Sequence, residues 1–118
     1  GVLIKDNHIA VCGGINNAVE RVRKKISHLV KIEVEVSNLA EVTEAIDAGA
    51  DVIMLDNMDI QQIKDATGLI KGRALVEVSG MVKKDALKKL AGTGVDIISV
   101  GALTHAARSV DLSMRISQ

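Results

Sequence analysis

The chain is 118 residues long, with 15 Lys and Arg against 15 Asp and Glu, and it contains no Phe, Trp, Tyr or Pro. Balanced charge supplies no basic excess for a nucleic-acid backbone, and without aromatic rings bases have no platform to stack on. The one cysteine, Cys12, can form no disulfide within the chain and cannot hold zinc alone, and no apolar run reaches membrane-spanning length, so a soluble protein of a reducing compartment, the cytoplasm, is expected.

In chain order, residues 2–4 are a short apolar run that reads as a strand. Residues 15–26 place Ile15, Ala18, Val19, Val22 and Ile26 at helical spacing. Residues 31–36 read as a second strand. Residues 38–48 read as a helix: Asn38 is placed to cap it, Glu41 follows three residues later as in a capping box, and Gly49 ends it. Its apolar face is Leu39, Val42, Ala45 and Ile46. Strands at 52–55, 74–78 and 97–100 then alternate with helices at 60–67 and 83–91, and a last short helix is expected to start near Leu103. No Pro- or Ser-rich linker interrupts the order, so one domain is expected.

Alternation of strand and helix implies a parallel sheet with right-handed crossovers. The chain also repeats itself. Val34-Glu35-Val36-Ser37 recurs as Val76-Glu77-Val78-Ser79, and Gly49-Ala50-Asp51-Val52-Ile53 recurs as Gly94-Val95-Asp96-Ile97-Ile98. Near-equivalent units favour a barrel over an open sheet with a switch point. Five strands cannot close a ring of the usual eight. The expected class is therefore α/β: the later strands of a TIM-like βα-barrel, incomplete.

Side chains alternate faces along a strand. Leu3 and Lys5, Glu33 and Glu35, Met54 and Asp56, Glu77 and Ser79, and Ser99 and Gly101 fall on one face. Val34, Val36, Ile53, Leu55, Val76, Val78, Ile98 and Val100 fall on the other, which should meet the helices. Lys5, Glu35, Asp56, Ser79 and Gly101 thus project from five adjacent strands at their C-terminal ends, where βα proteins build active sites. Satisfied ion pairs inside a barrel are the competing explanation for any one of them; five at one rim favour a site. The turns Ser79-Gly80 and Gly101-Ala102 offer backbone N–H groups for a phosphate. A lysine can hold a second phosphate, and carboxylates can hold sugar hydroxyls or a hydrated Mg²⁺ bridging a diphosphate. An anionic sugar-phosphate substrate fits these groups.

Leu3-Ile4-Lys5-Asp6-Asn7-His8, Ile32-Glu33-Val34-Glu35-Val36, Ile53-Met54-Leu55-Asp56-Asn57, Val76-Glu77-Val78-Ser79-Gly80, the run from Thr93 to His105, and Asp111-Leu112-Ser113 occur in this order over essentially the whole chain. Together they resemble the quinolinate phosphoribosyltransferase family. The resemblance implies a transferase that converts quinolinate and phosphoribosyl pyrophosphate to nicotinate mononucleotide, pyrophosphate and CO₂ with Mg²⁺, in NAD synthesis. It implies that Lys5 contacts the anionic substrates. Glu35 and Asp56 would be the catalytic acids beside the ribose, with Mg²⁺ reached through substrate and water. Ser79, Gly80 and Met81, with Gly101, Ala102 and Leu103, would cradle the 5′-phosphate, His105 beside them. Asn or Gly is usual after Ser-Gly in the family; Met81 keeps the backbone N–H and loses a side-chain contact.

Family chains are more than twice this length. Their N-terminal α/β domain and early barrel strands carry Arg-Lys and His-Arg motifs that hold quinolinate's carboxylates. Residues 1–118 are read as the C-terminal part of the barrel domain, with those parts absent and the isolated chain inactive. A nicotinate phosphoribosyltransferase or a molybdenum-transport homologue is the neighbouring reading, since the upstream cations would separate them. A non-catalytic phosphate-binding module and an excised or designed half-barrel scaffold are the others. Family members assemble as dimers or larger, and two open strand edges also invite self-pairing, so a homo-oligomer is expected. His8 reads as a hydrogen-bonded structural residue, Cys12 as inert, and the run Arg21-Val22-Arg23-Lys24-Lys25 as a solvated helix face.

Overall fold

The computed structural model describes residues 1–80, 86–101 and 113–116. Among these, five strands form one parallel sheet in chain order: β1 (Val2–Ile4), β2 (Ile32–Val36), β3 (Val52–Asp56), β4 (Leu75–Ser79) and β5 (Ile97–Ile98). Each strand pairs with the next, with no reversal of order. A doubly wound sheet would show a switch point; a barrel arc does not. The expected barrel-type βα architecture is thus the one observed. No helix among the described residues is long and apolar enough to cross a membrane.

The predicted alternation of faces holds along the sheet. Val34, Val36, Ile53 and Leu55 are sealed from solvent against the helices, while Glu33, Glu35, Asp56, Glu77 and Ser79 keep partial exposure on the other face. Without aromatic residues the core is built from aliphatic side chains, with Ile15, Ile32, Ile53, Leu55, Ile63 and Ile70 the largest fully buried. Each such side chain contributes about 1.5–3 kcal/mol by leaving water.

Helix limits differ from the pattern where local geometry overrides it. A short helix, α1 (Asp6–Cys12), follows β1 directly. Seven residues with no fully buried position give no periodic signal, so it is invisible to a count of apolar spacing. Gly13, at φ 75°, closes it by donating to the carbonyl of Ala10. The next helix, α2, covers Ile15–Arg23, ending before the expected residue 26. In α3 (Leu39–Asp47), Asn38 caps as expected, accepting from the N–H of Glu41 at 3.0 Å. The Glu41 carboxylate reaches one residue further back than a standard box, to the N–H of Ser37 at 2.7 Å. The next, α4 (Ile60–Ile70), runs a turn past residue 67 because Gly68 is tolerated inside it, and stops where Lys71 and Gly72 turn left-handed. Of the expected 83–91 helix, α5 covers Leu87–Ala91 with Ala86 at its N-cap; residues 83–85 and the helix expected near Leu103 lie outside the described residues.

The second repeat proves to be a clasp between strands. Asp51 accepts the N–H of Ile32 at 2.8 Å through its carboxylate, and its own N–H donates to the Ile32 carbonyl at 2.9 Å. Asp96 does the same to Val76, at 2.8 and 2.9 Å. Both clasps sit at the N-terminal end of the strands, opposite the polar rim, where βα barrels hold stability rather than chemistry. Burial pushes the Asp51 carboxyl up, but the Ile32 N–H, the Arg23 guanidinium at 3.1 Å and the charge of Lys31 prevail and hold it below the usual range.

Candidate active site

At the opposite end of the sheet, β1 hands over to α1 at Lys5. The Lys5 N–H donates to Nδ1 of His8 at 3.0 Å, so His8 caps the helix and takes the structural role expected of it. The side chain of Lys5 is left to reach across to β2, where its ammonium lies 2.9 Å from Oε2 of Glu35. Hydrogen bonding to Glu35 raises the Lys5 pKa, with the charges of Glu35, Asp56 and Asp6 adding to it and burial opposing. The lysine is half exposed and the glutamate 19 % exposed, so the pair is open to a ligand on the lysine side.

Asp56 ends β3 and is held by its neighbour. Asn57 adopts a left-handed φ of 52° and donates from its side chain to Asp56 Oδ2 at 3.0 Å. The Asn57 N–H donates to the carbonyl of Ser79 at 3.3 Å, and Asp56 and Ser79 are ladder partners. Gly80 is required here: at φ 109°, a Cβ on it would lie 2.4 Å from Oδ1 of Asn57 and 3.1 Å from its backbone nitrogen. The Leu-Asp-Asn and Ser-Gly motifs are therefore one packed unit.

The rim is stepped, not level. Glu35 pairs in register with Met54, which puts Asp56 one pleat further out, beside Ser79. Such stagger is what tilted barrel strands produce. One pleat below the rim, Glu33 and Glu77 form an acidic pair, and Ser99 donates to Glu77 at 2.5 Å. Burial, then a hydrogen bond to Glu77, then the charges of Glu77 and Glu35, push the Glu33 pKa up to about 7. Oε1 of Glu33 is buried without a donor, as two carboxylates in contact require until a proton joins them.

Glu35 and Asp56 line one cleft of about 420 Å³, together with Asp6, Asn7, Glu41 and Arg115. Spacing and periodicity gave no hint of Arg115. It arrives from the far end of the chain because Asn7 grips that end: its amide donates to the carbonyl of Met114 at 2.8 Å and accepts from the N–H of Ile116 at 3.0 Å. Of the residues expected at the site, Glu35 and Asp56 line this cleft, Lys5 is joined to it through its ion pair with Glu35, and Ser79 and Gly80 stand beside Asp56 through Asn57. Gly101 follows β5 and is not among the cleft's walls. Met81, Ala102, Leu103 and His105 lie outside the described residues.

The family described as quinolinate phosphoribosyl transferase, C-terminal domain, matches residues 1–115. The chain belongs to that family. A probable carboxylating nicotinate-nucleotide pyrophosphorylase of Methanocaldococcus jannaschii is 46 % identical over 98 % of the chain and 43 % of that protein. One from Bacillus subtilis is 43 % identical over 99 % of the chain and 40 % of that protein. The crystal structure of a nicotinate-nucleotide pyrophosphorylase from Ehrlichia chaffeensis superposes with a TM-score of 0.85 at 44 % identity, covering 90 % of this chain and 38 % of that one. The chain spans about two-fifths of the length of the curated relatives it matches. The resemblance read from the motifs is therefore correct at the level of family.

Proposed function

We propose that this chain carries the phosphoribosyl half of a quinolinate phosphoribosyltransferase site. The protein would take part in making nicotinate mononucleotide, pyrophosphate and CO₂ from quinolinate and phosphoribosyl pyrophosphate, a step of NAD synthesis in the cytoplasm. The observation that carries the reading is Glu35 and Asp56 on one cleft, with Lys5 paired to Glu35 at 2.9 Å, in a chain of this family.

As the bond from the anomeric carbon to the diphosphate oxygen breaks, positive charge develops on the ribosyl ring. Glu35 and Asp56, fixed by β2 and β3, stabilise that charge. The quinolinate ring nitrogen forms the new bond, the adjacent carboxylate leaves as CO₂, and the ring carbon takes up a proton. Lys5 exchanges part of its pairing with Glu35 for the departing diphosphate. Ser79 and Gly80, with Met81, Gly101, Ala102, Leu103 and His105, cradle the 5′-phosphate. No group of three or more His, Cys, Asp or Glu among the described residues could hold a metal ion directly. Glu35 and Asp56 would hold a hydrated Mg²⁺ through water, and the ion would supply charge neutralisation of the leaving group.

Calorimetric titration of the chain with phosphoribosyl pyrophosphate and Mg²⁺ tests this. Saturable binding is expected, weakened at least about tenfold by Lys5→Ala. Absence of binding by the wild-type chain would overturn the reading and leave a scaffold.

A further inference from the structure

The cleft's described walls carry four carboxylates, on Asp6, Glu35, Glu41 and Asp56, and one cation, Arg115. The other cations that pair with carboxylates among the described residues are Lys5 with Glu35, Arg23 with Asp51 and Lys24 with Glu20. Arg115 is exposed and has no carboxylate partner among them. Its position is nevertheless built. Asn7, two residues after Lys5, takes one hydrogen bond from the residue after Arg115 and gives one to the residue before it. A side-chain amide here replaces a strand neighbour and fixes the backbone on both sides of a single arginine, across 107 and 109 residues of sequence.

Place along the sheet decides what that arginine faces. The strand order runs from β1, which ends just before Lys5, to β4, which ends at Ser79. Arg115 is held beside α1, which follows β1, and shares the cleft with Glu35 of β2 and Asp56 of β3, while the Ser79–Gly80 turn ends β4 on the far side of β3. A ligand with its 5′-phosphate on that turn and its ribose over the two carboxylates points its second anionic group toward Lys5 and Arg115. A guanidinium is suited to that group: its planar fork matches two phosphate oxygens, and it stays charged.

We propose that Arg115 contacts the diphosphate of phosphoribosyl pyrophosphate, and that Asn7 is a positioning residue that holds the Ser113–Ile116 segment so that it can. This rests on the phosphoribosyl reading above and adds a residue that the motifs do not contain.

The test measures the affinity of the full chain for phosphoribosyl pyrophosphate with Mg²⁺, and separately for ribose 5-phosphate, which lacks the diphosphate. Arg115→Ala is expected to weaken the first at least about tenfold and leave the second within twofold. Asn7→Ala should cause a comparable selective loss, and the double variant should lose little more than either single one, since both act through one contact. Arg115 is exposed, so its variant is expected to keep the wild-type unfolding midpoint. Unchanged affinity for the diphosphate ligand in Arg115→Ala, or equal losses for both ligands, overturns the inference while the functional reading stands. If the wild-type chain binds neither ligand, the functional reading fails and this falls with it.

Discussion

Gly80 shows how a single missing side chain holds the rim together. Its φ of 109° is closed to L side chains without strain, and Asn57 occupies the space a Cβ would need. Gly80→Ala is expected to cost about 1–3 kcal/mol, read as a lower urea midpoint. Because Asn57 holds Asp56, affinity for phosphoribosyl pyrophosphate should fall with it; full affinity in a destabilised variant would disconnect the two motifs. Glu33 supplies a pH dependence. Its carboxyl titrates at about 7 in the folded chain, above the usual carboxylate range. Between those values the folded state holds a proton that the unfolded chain releases, so stability falls as pH rises through this window and the cost is complete above it. Solvent around the pair limits that cost to on the order of 1 kcal/mol. Glu33→Gln should flatten the urea midpoint between pH 5 and 8 and exceed wild type at pH 8. A variant that declines in parallel with wild type would place the titration elsewhere. Alternation along the strands made Lys5, Glu35 and Asp56 legible in advance, because a pleat has a period of two and each acid sits beside a buried Val or Leu. Asn7 and Arg115 were not legible as partners, since no local rule links residues more than a hundred positions apart.

At the scale of elements, the two halves of the repeat divide their labour. The Glu-Val-Ser segments end in the rim, whereas Asp51 and Asp96 lock the far ends of neighbouring strands. Removing a carboxylate that accepts a strand N–H leaves a donor unsatisfied, at about 1–3 kcal/mol. Asp51→Ala and Asp96→Ala should each lower the urea midpoint while sparing phosphoribosyl pyrophosphate affinity. Asp51→Ala should cost more, because it also releases Arg23, which bonds the Gly49 carbonyl at 2.8 Å as well. A loss of ligand affinity with wild-type stability would contradict the assignment of these residues to the fold. The repeat itself was visible in the sequence; its meaning was not, because hydrogen bonding of Asp to a preceding strand depends on which strands are adjacent. Helix α1 escaped for another reason. Its stability comes from a histidine cap and a glycine stop, neither of which a hydrophobic period detects.

For the whole molecule, the same unbroken order that marks a barrel arc leaves β1 and β5 with one strand neighbour each among the described residues. Beside β1 lies an apolar hollow of about 670 Å³, walled by Val2, Val11, Val22, Ile26 and Ile116, with Arg21 and Lys25 also among its walls. Val11 is 58 % exposed there. Contiguous apolar surface of this kind drives association of like with like. Sedimentation equilibrium should therefore give a mass that rises with concentration above that of one 12.5 kDa chain. Val11→Lys, which puts a charge into the hollow without touching the buried core, should shift that rise to higher concentration. A single monomer mass across the range, or association insensitive to Val11→Lys, would show that this hollow is not a contact between copies of the chain.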